Sequence, residues 1–294
     1  MNNLRRTLSL LLALVMLVAL GAFASAENSA AAEEAAVTLT DEDVASLSYL
    51  NGQLRVGMEC AYAPNNWQES EASDTNVPIE NVPGAYAEGY DVQIARIIAD
   101  QLGLELVVVK MDWDGLIEAL NQGQIDAIIA GMADTESRKE AINFTSPSHE
   151  TVYALMVNAG TQYENATSLA DFNGASVLGQ KDTALDWTID QIEGVNHLTA
   201  VASVPDMIAR LQQGTCDAIV INLENAPGYL AANPDFVVIS FPEGEGLDPG
   251  FKGACVGLRK SDDALLSLAD AVLATIDQEQ RDELWETALT NQPT

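Results

Sequence analysis

The sequence predicts an α/β protein built as two lobes, and two observations lead to this prediction. From Leu54 onward, short apolar runs alternate with amphipathic helical patterns, which is typical of an α/β architecture. A unit made of a helix, a glycine and a strand then occurs twice, at residues 116–131 and 207–222. We therefore expect two α/β lobes that share one plan.

The elements of the first lobe follow from periodicity and from capping residues. Strands are predicted at 54–57, 104–109 and 125–130. Asp91 is expected to cap the helix between the first two strands. Asp114 is expected to cap the following helix, and Gly123 is expected to end it.

The two copies of the repeated unit match at seven of sixteen aligned positions. The identical pairs are Ile117 and Ile208, Leu120 and Leu211, Gln122 and Gln213, Gly123 and Gly214, Asp126 and Asp217, Ala127 and Ala218, and Ile128 and Ile219. Convergence of similar units stays an alternative for so short a match. The order of the surrounding segments repeats as well, which favours two lobes of common design.

The strand ends are the predicted place for function. Open α/β sheets bind ligands beyond the carboxyl ends of their strands, and two facing lobes form a cleft that can close on a small molecule. The segments at these ends are 59–62, 111–113, 131–138, 180–183 and 222–224.

Charge argues against one class of partner. The chain of 294 residues has 13 basic and 44 acidic residues, a formal charge of −31. Phosphate backbones and anionic membrane surfaces repel such a polyanion, so nucleic acid is not an expected partner. With 48% apolar residues the chain can nevertheless form a core.

The N-terminus has the order of a secretory signal peptide over residues 1–26, with the basic pair Arg5 and Arg6, an apolar run and a small-residue triplet. A retained anchor is the alternative, although the run is short beside the roughly 20 residues that span a bilayer. Residues 27–50 are rich in alanine and acids and are predicted to be a linker. We expect an exported protein, periplasmic or extracellular and soluble after cleavage.

The cysteines fit no metal or redox spacing. Cys60, Cys216 and Cys255 are expected to be buried small residues, with a disulfide between Cys216 and Cys255 as the alternative. No phosphate loop or metal motif is found in the sequence, so no cofactor and no metal are expected.

Three segments carry a family resemblance: GYDVQIARIIADQLG at 89–103, MDWDGLIEALNQGQIDAIIAGM at 111–132 and TESRKEAINFTSP at 135–147. With them the chain resembles the polar amino-acid-binding proteins of ABC importers, the family 3 solute-binding proteins. The resemblance implies the two-lobed periplasmic-binding-protein fold, with residues 51–147 plus 253–294 in one lobe, 148–252 in the other, and a two-segment hinge. It implies a monomer that closes on a polar amino acid, a class that includes the cationic ones, and delivers it to an ABC-type permease.

The resemblance also implies which residues hold the carboxylate of the ligand. It assigns this carboxylate to the guanidinium of Arg138, with the backbone at Gly131 and Ala133 beside it. A bidentate bond between a guanidinium and a carboxylate is a strong and specific contact. The alternative is that Arg138 pairs only with Glu136 or another surface acid.

Three further positions match the side-chain pocket of relatives. Tyr62 and Trp113 correspond to aromatic residues that enclose the ligand side chain, and such faces suit an aliphatic stem or a cation. Glu59 matches an acidic position that contacts polar ligand groups, with a plain surface charge as the alternative.

In the second lobe, Gln180 and Thr183 fall in the loop that closes over the carboxylate in relatives. Asp182 is expected to point away or to meet a cationic group, since two carboxylates repel. Relatives place an acid at the position of Asn222 to pair with the α-ammonium, so this residue departs from the pattern. Glu224 is the candidate to supply the missing charge.

Two other function classes are kept as alternatives. An exported enzyme like the cyclohexadienyl dehydratases could use the same fold, although His149 and His197 lie in no recognised catalytic motif. A binder of a carboxylate that lacks an α-ammonium would explain Asn222.

Overall fold

Two five-stranded sheets form the centre of the fold, one in each lobe. The structure is a computed structural model that describes residues 37–242, 244–251 and 253–293. The predicted signal peptide lies outside these residues. Among the helices that the structure describes, none is long and apolar enough to cross a membrane.

The strands are numbered along the chain. They are β1 (Gln53–Met58), β2 (Ala61–Tyr62), β3 (Asn66–Glu69), β4 (Val77–Pro78), β5 (Tyr86–Glu88), β6 (Glu105–Lys110), β7 (Ala127–Ile128), β8 (Asn143–Glu150), β9 (Tyr153–Asn158), β10 (Ser176–Leu178), β11 (Asn196–His197), β12 (Ala218–Asn222), β13 (Phe236–Ile239) and β14 (Gly253–Leu258).

The helices are numbered in the same way. They are α1 (Asp41–Ser46), α2 (Tyr90–Gln101), α3 (Leu116–Asn121), α4 (Glu136–Ala141), α5 (Ala184–Trp187), α6 (Val204–Gln212), α7 (Ala226–Ala232), α8 (Asp263–Thr275) and α9 (Gln278–Asn291). Short 3-10 turns occur at Ser48–Leu50, Trp113–Gly115, Leu169–Phe172, Thr188–Gln191 and Leu223–Asn225.

The two large sheets have the same strand plan, which confirms the predicted α/β fold with two lobes. The first has the order β6–β1–β7–β14–β8 and the second the order β11–β10–β12–β9–β13. In each, three parallel strands are joined through helices, and antiparallel strands complete the sheet. The parallel strands therefore point their carboxyl ends toward one edge of each sheet, where ligand sites form.

The chain passes between the lobes twice. The first crossing is Thr151 and Val152, between β8 of the first sheet and β9 of the second. The second crossing runs from β13 to β14 and is much longer. The predicted lobe boundaries at 147/148 and 252/253 stay a prediction, and these crossings lie close to them.

The repeated unit serves the same structural purpose in both lobes. Gly123 and Gly214 follow helices α3 and α6 with φ of +72° and +65°, the left-handed conformation that suits a glycine at a helix end. Asp126 Oδ2 accepts from the backbone N–H of Arg55 at 3.1 Å, and Asp217 Oδ2 accepts from that of Ser176 at 2.7 Å. Each aspartate thus joins the strand of its repeated unit, β7 or β12, to the neighbouring parallel strand of the same sheet, β1 or β10.

Two predicted helix caps are wrong. Gly89, not Asp91, is the residue before α2, and the buried Asp91 carboxylate accepts from Asn66 Nδ2 at 2.8 Å instead. Asp114 lies within the turn before α3, whose cap position is taken by Gly115, and no side chain caps that helix. In both cases a partner distant in sequence binds the carboxylate that a local pattern had assigned to a cap.

The predicted linker 27–50 differs from the structure in its described part. Residues 41–46 form the helix α1, with Thr40 as its cap. Leu47 and Leu50 are buried, at 4% and 5% exposure, so this part packs as folded chain.

The three cysteines are free thiols and all are buried, so the alternative disulfide between Cys216 and Cys255 is not formed. Burial raises the pKa of Cys60 and of Cys255 to about 12, which keeps both thiols protonated. They serve as small apolar residues of the core.

Candidate ligand-binding site

A cavity between the two large sheets brings together nine of the ten predicted site residues. Its lining consists of Glu59, Tyr62, Trp113, Ala130, Gly131, Ala133, Arg138, Thr151, Tyr153, Gln180, Thr183, Ala184, Leu185, Asn222, Phe251 and Gly253. The space between these side chains is about 460 Å³, and part of it is open to solvent.

The turn after β1 presents Glu59 and Tyr62 to the cavity. Cys60, between them, has a left-handed φ of +53°, an unusual conformation for a residue with a side chain. Asn66 stabilises it by accepting from the Cys60 N–H at 2.8 Å, and Asn66 is itself fixed by its bond to Asp91. Burial raises the pKa of Asp91 to about 6. A buried polar network therefore orients this edge of the site.

Glu59 is the single acidic residue of the cavity lining. Burial raises the pKa of its carboxyl to about 7, although a hydrogen bond with Gln180 opposes this shift. The ionised form of Glu59 is thus poorly solvated by the protein alone. A cationic group of a ligand would supply the missing counter-charge.

Arg138 is the single basic residue of the lining, and three groups hold it. Its guanidinium carbon lies 5.2 Å from the ring centroid of Trp113, within the range of a cation–π contact. Its Nη1 donates to Ala133 O at 2.9 Å, and its Nη2 donates to Asp182 O at 2.7 Å. Burial lowers the pKa of Arg138 to about 10, so it keeps its charge at neutral pH.

The predicted alternative for Arg138, a pair with a surface acid, is not formed among the described residues. Glu136 pairs with Lys139 instead, at 3.2 Å. Thr135 is the residue before α4, and its hydroxyl accepts from the Arg138 N–H at 3.3 Å. This cap fixes the first turn of α4, and the turn directs Arg138 toward the cavity.

Gly131 is a position of the lining where an added side chain would crowd the ring of Tyr62. An added Cβ would lie 3.0 Å from Tyr62 Cε1, and the backbone φ is +64°. Both the close ring and the left-handed conformation favour glycine here.

The loop after β10 is organised by its own hydrogen bonds. The Thr183 hydroxyl donates to Gln180 O at 2.8 Å and accepts from the Leu185 N–H at 3.2 Å. Gln180 Nε2 donates to Ala202 O at 3.1 Å. Asp182 has a left-handed φ of +58°, and its carboxylate is exposed. Its side chain therefore points away from the cavity, which is the first of the two orientations expected from the sequence.

Asn222 ends β12 and connects both lobes through its amide. The Tyr62 hydroxyl donates to its Oδ1, and its Nδ2 donates to Thr151 Oγ1. Tyr153 lies beside it, and burial raises the pKa of the Tyr62 and Tyr153 phenols, so both stay neutral donors. This part of the cavity therefore offers hydrogen bonds without a formal charge.

Glu224 is the predicted site residue that does not line the cavity. The 3-10 turn Leu223–Asn225 turns its carboxylate toward the crossing between the lobes. There Oε2 accepts from the Val152 N–H at 3.3 Å, and Oε1 lies 3.4 Å from His149 Nε2. In this arrangement Glu224 does not replace the charge that Asn222 lacks.

Several lining residues were missed by the sequence prediction. They are Ala130, Thr151, Tyr153, Ala184, Leu185, Phe251 and Gly253. Tyr153 and Phe251 form an edge-to-face pair with ring centroids 6.3 Å apart. Tyr153 directly follows the first crossing between the lobes and Phe251 lies within the second. Aromatic residues at such crossings are the signal that could have found them.

Neither histidine lies in the cavity lining. His149 stacks on Trp285 with centroids 4.2 Å apart, and His197 bonds Asp186 and Asp190 at 2.8 Å each. Within the part of the chain that the structure describes, no group of acids, histidines or cysteines could hold a metal ion. The lining offers one cation, one acid, aromatic faces and neutral hydrogen-bond groups, which is suited to holding a small charged molecule.

Comparison with protein families gives one match over most of the chain. The family described as bacterial extracellular solute-binding proteins, family 3, matches residues 54–287.

Individual relatives are named as amino-acid-binding proteins. A protein of Campylobacter jejuni named "Probable histidine-binding protein" is 28% identical over 206 residues, 68% of this chain and 72% of its own length. The L-cystine-binding protein TcyJ of Escherichia coli is 25% identical over 243 residues, 82% of this chain and 84% of its own.

Solved structures are similar over comparable lengths. An amino acid ABC transporter substrate-binding protein from Streptococcus pneumoniae, bound to L-arginine, has a TM-score of 0.72 and 25% identity, covering 86% of this chain and 99% of that chain. A mutant of ArgBP from T. maritima has a TM-score of 0.68 and 28% identity, covering 85% and 100%.

Proposed function

The chain belongs to family 3 of the bacterial extracellular solute-binding proteins, and from this premise we propose that it captures a polar amino acid by closure of its two lobes. We further propose that the protein is an exported monomer that delivers this ligand to an ABC-type permease. Relatives named for histidine, cystine and arginine support an amino acid as the ligand class.

The observation that carries the proposal is the charge pattern of the cavity. Among the sixteen lining residues, Arg138 is the base and Glu59 the acid, and they are accompanied by the rings of Tyr62 and Trp113. The α-carboxylate of an amino acid would bind Arg138. A cationic side chain, as in L-arginine, would lie between aromatic faces and meet Glu59, whose ionised form has no full counter-charge in the protein.

Both lobes contribute to this cavity, which is why ligand binding and closure would be coupled. A ligand that contacts both sides binds the closed arrangement better than the open one and shifts the population toward it. The permease would then respond to the closed form.

Thermal-shift measurements against the common amino acids test the proposal. A ligand that binds the native state raises the melting temperature, by an amount that grows with its concentration above the dissociation constant. Arg138→Ala should abolish the shift. Lys139→Gln is the matched control, because Lys139 is the next residue, equally basic, exposed, and outside the cavity lining. A protein that responds to none of the amino acids, or an Arg138→Ala variant that responds like the parent, would contradict the proposal.

We also propose that the protein is a binder and not an enzyme. Both histidines are engaged outside the cavity, and Glu59 is the one titratable carboxyl in its lining. Incubation with prephenate or arogenate checks this point. Turnover that is lost in Glu59→Gln would overturn it.

A further inference from the structure

Two residues outside the cavity join the lobes directly. Lys181 Nζ donates to Asp114 Oδ2 at 2.5 Å. Asp114 lies in the turn that follows β6 of the first sheet, and Lys181 lies in the loop that follows β10 of the second. Neither residue lines the cavity, so the bond is available without any contact to a ligand.

The backbone on each side of this ion pair is fixed. The Lys181 N–H donates to Val201 O at 2.8 Å, and Gln180 pairs with Val201 as a parallel bridge, so the loop is tied to its own lobe. Asp114 lies in the 3-10 turn Trp113–Gly115, closed by the Gly115 N–H bond to Asp112 O at 3.0 Å. Forming the pair therefore costs the freedom of two side chains and not of two loops.

The next residue of the same loop makes a second bond between the lobes. The left-handed backbone of Asp182 presents its carbonyl to Arg138, which lies over Trp113, the neighbour of Asp114. Two consecutive loop residues thus reach two adjacent groups of the facing lobe. Arg138 faces the cavity, whereas the pair of Lys181 and Asp114 is about half exposed, with side-chain exposures of 53% and 47%.

We propose that Lys181 and Asp114 form a latch, a pair of positioning residues that favours the closed arrangement and slows the release of a bound amino acid. The effect on release rests on the proposed function, but the effect on closure does not. An exposed ion pair changes an equilibrium constant by about 1.5- to fivefold at low ionic strength, and salt reduces this effect.

The closing equilibrium is measured first, with no amino acid present. Spin labels on Glu140→Cys and Glu193→Cys, exposed positions in the first and second lobes, report the distance between the lobes. The native cysteines are buried and do not compete for the label. Asp114→Asn and Lys181→Gln should each lower the closed-to-open ratio by about 1.5- to fivefold at about 0.01 M ionic strength, and the loss should vanish near 1 M.

Two further variants separate the latch from a general effect of charge. The exchange Asp114→Lys with Lys181→Asp restores the pair in reverse. Combined with Asp182→Asn, which removes the carboxylate that lies 3.3 Å from Lys181 Nζ, it should recover most of the closed population. Lys139→Gln removes an ion pair that lies within one lobe, with Asp134 at 2.8 Å, and should leave the ratio unchanged.

The release of L-arginine is then followed by stopped-flow fluorescence, and its rate should rise in the two single variants by the factor measured for closure. A parent protein without a closed population, or variants that close like the parent at low salt, would overturn the latch. If the closing ratio falls as expected while L-arginine does not bind, the latch stands and the proposed ligand is wrong.

Discussion

The phenol of Tyr62 and the amide of Asn222 meet across the cavity, and the Tyr62 hydroxyl donates to Asn222 Oδ1. Thr151 accepts from the other end of the same amide, so the protein engages both polar atoms of this side chain. Asn222 is 8% exposed, and an uncharged amide at this depth needs no counter-ion. A ligand amine at this strand end would meet a neutral acceptor that Tyr62 already shares.

Asn222→Asp should tighten the binding of α-amino acids. The carboxylate can still accept from Tyr62, and the Thr151 hydroxyl can turn to donate to it. A hydrogen bond to a charged group contributes about 1.5–3 kcal/mol, against about 1 for a neutral pair, so we expect roughly tenfold higher affinity by calorimetry. The 2-hydroxy analogue of the same amino acid is the control, because it has no ammonium and should not gain. Equal affinities of parent and variant would mean that no ligand ammonium reaches Asn222.

The affinity for L-arginine should depend on pH through Glu59. The pKa of this carboxyl is raised by burial to about 7, so it is ionised at pH 8 and mostly protonated at pH 6. Binding of a cation to the ionised form should therefore weaken by up to about tenfold from pH 8 to pH 6. Calorimetric titrations at several pH values measure this. L-citrulline, which has no charge on its side chain, should lack the dependence, and so should Glu59→Gln.

The Glu59 carboxyl also affects the stability of the fold. Stability should fall as pH rises, whereas the affinity for L-arginine should increase. Its folded pKa lies above the unfolded value of 4.5, so the native state binds the proton more tightly and the contribution of Glu59 to stability is lost as pH rises from about 4.5 to 7. Glu59→Gln should therefore melt at a higher temperature than the parent at pH 8, with little difference below pH 4.5. A lower melting temperature of the variant at pH 8 would contradict this assignment.

Gly131→Ala should weaken ligand binding, because the added methyl group displaces the ring of Tyr62. The left-handed backbone adds a strain of about 1–2 kcal/mol to the folded state. Gly123→Ala is the matched control: its φ of +72° gives a similar strain, but its Cβ has no atom within 4 Å. Urea unfolding should show a similar loss for both variants, whereas calorimetry should show weaker binding for Gly131→Ala alone.

The equivalent aspartates of the two lobes should differ in their contribution to stability. Asp217→Ala leaves the Ser176 N–H without its side-chain acceptor, which should lower the unfolding free energy by about 1 kcal/mol. Asp126→Ala loses the bond to the Arg55 N–H and also a largely buried ion pair with Arg259 at 3.0 Å. We therefore expect it to lower the unfolding free energy by about 2–3 kcal/mol. Denaturant titrations compare the two. A larger loss of unfolding free energy for Asp217→Ala than for Asp126→Ala would show that the ion pair with Arg259 does not stabilise the fold.

The fold and most of the candidate site could be predicted because they depend on order along the chain. Parallel strands joined through helices place their carboxyl ends at one edge, so the residues after β1, β6, β7, β10 and β12 had to come close together. Nine of the ten predicted residues do line one cavity, although their contacts with a ligand stay a prediction.

What could not be predicted depends on partners distant in sequence. Asp91 and Asp114 have the spacing of helix caps, but Asn66 and Lys181 bind them. Glu224 lies only two residues beyond Asn222, the last residue of β12, yet the 3-10 turn Leu223–Asn225 directs its carboxylate away from the cavity and toward the Val152 N–H. A local pattern shows which residues can make a contact, and the packing of the lobes determines which contact is made.

The crossing at Thr151 and Val152 limits how the protein can move. Two residues span about 7 Å at most, so the lobes cannot slide apart at this point. Val152 is tied to the second lobe by the Leu223 N–H bond to its carbonyl at 2.7 Å and by Glu224, which narrows the free joint to the bonds around Thr151. Opening must therefore be a rotation about an axis near this residue. Asn222, bonded to Thr151, lies beside that axis and would move little on opening. Side chains further from the axis would be displaced over larger distances.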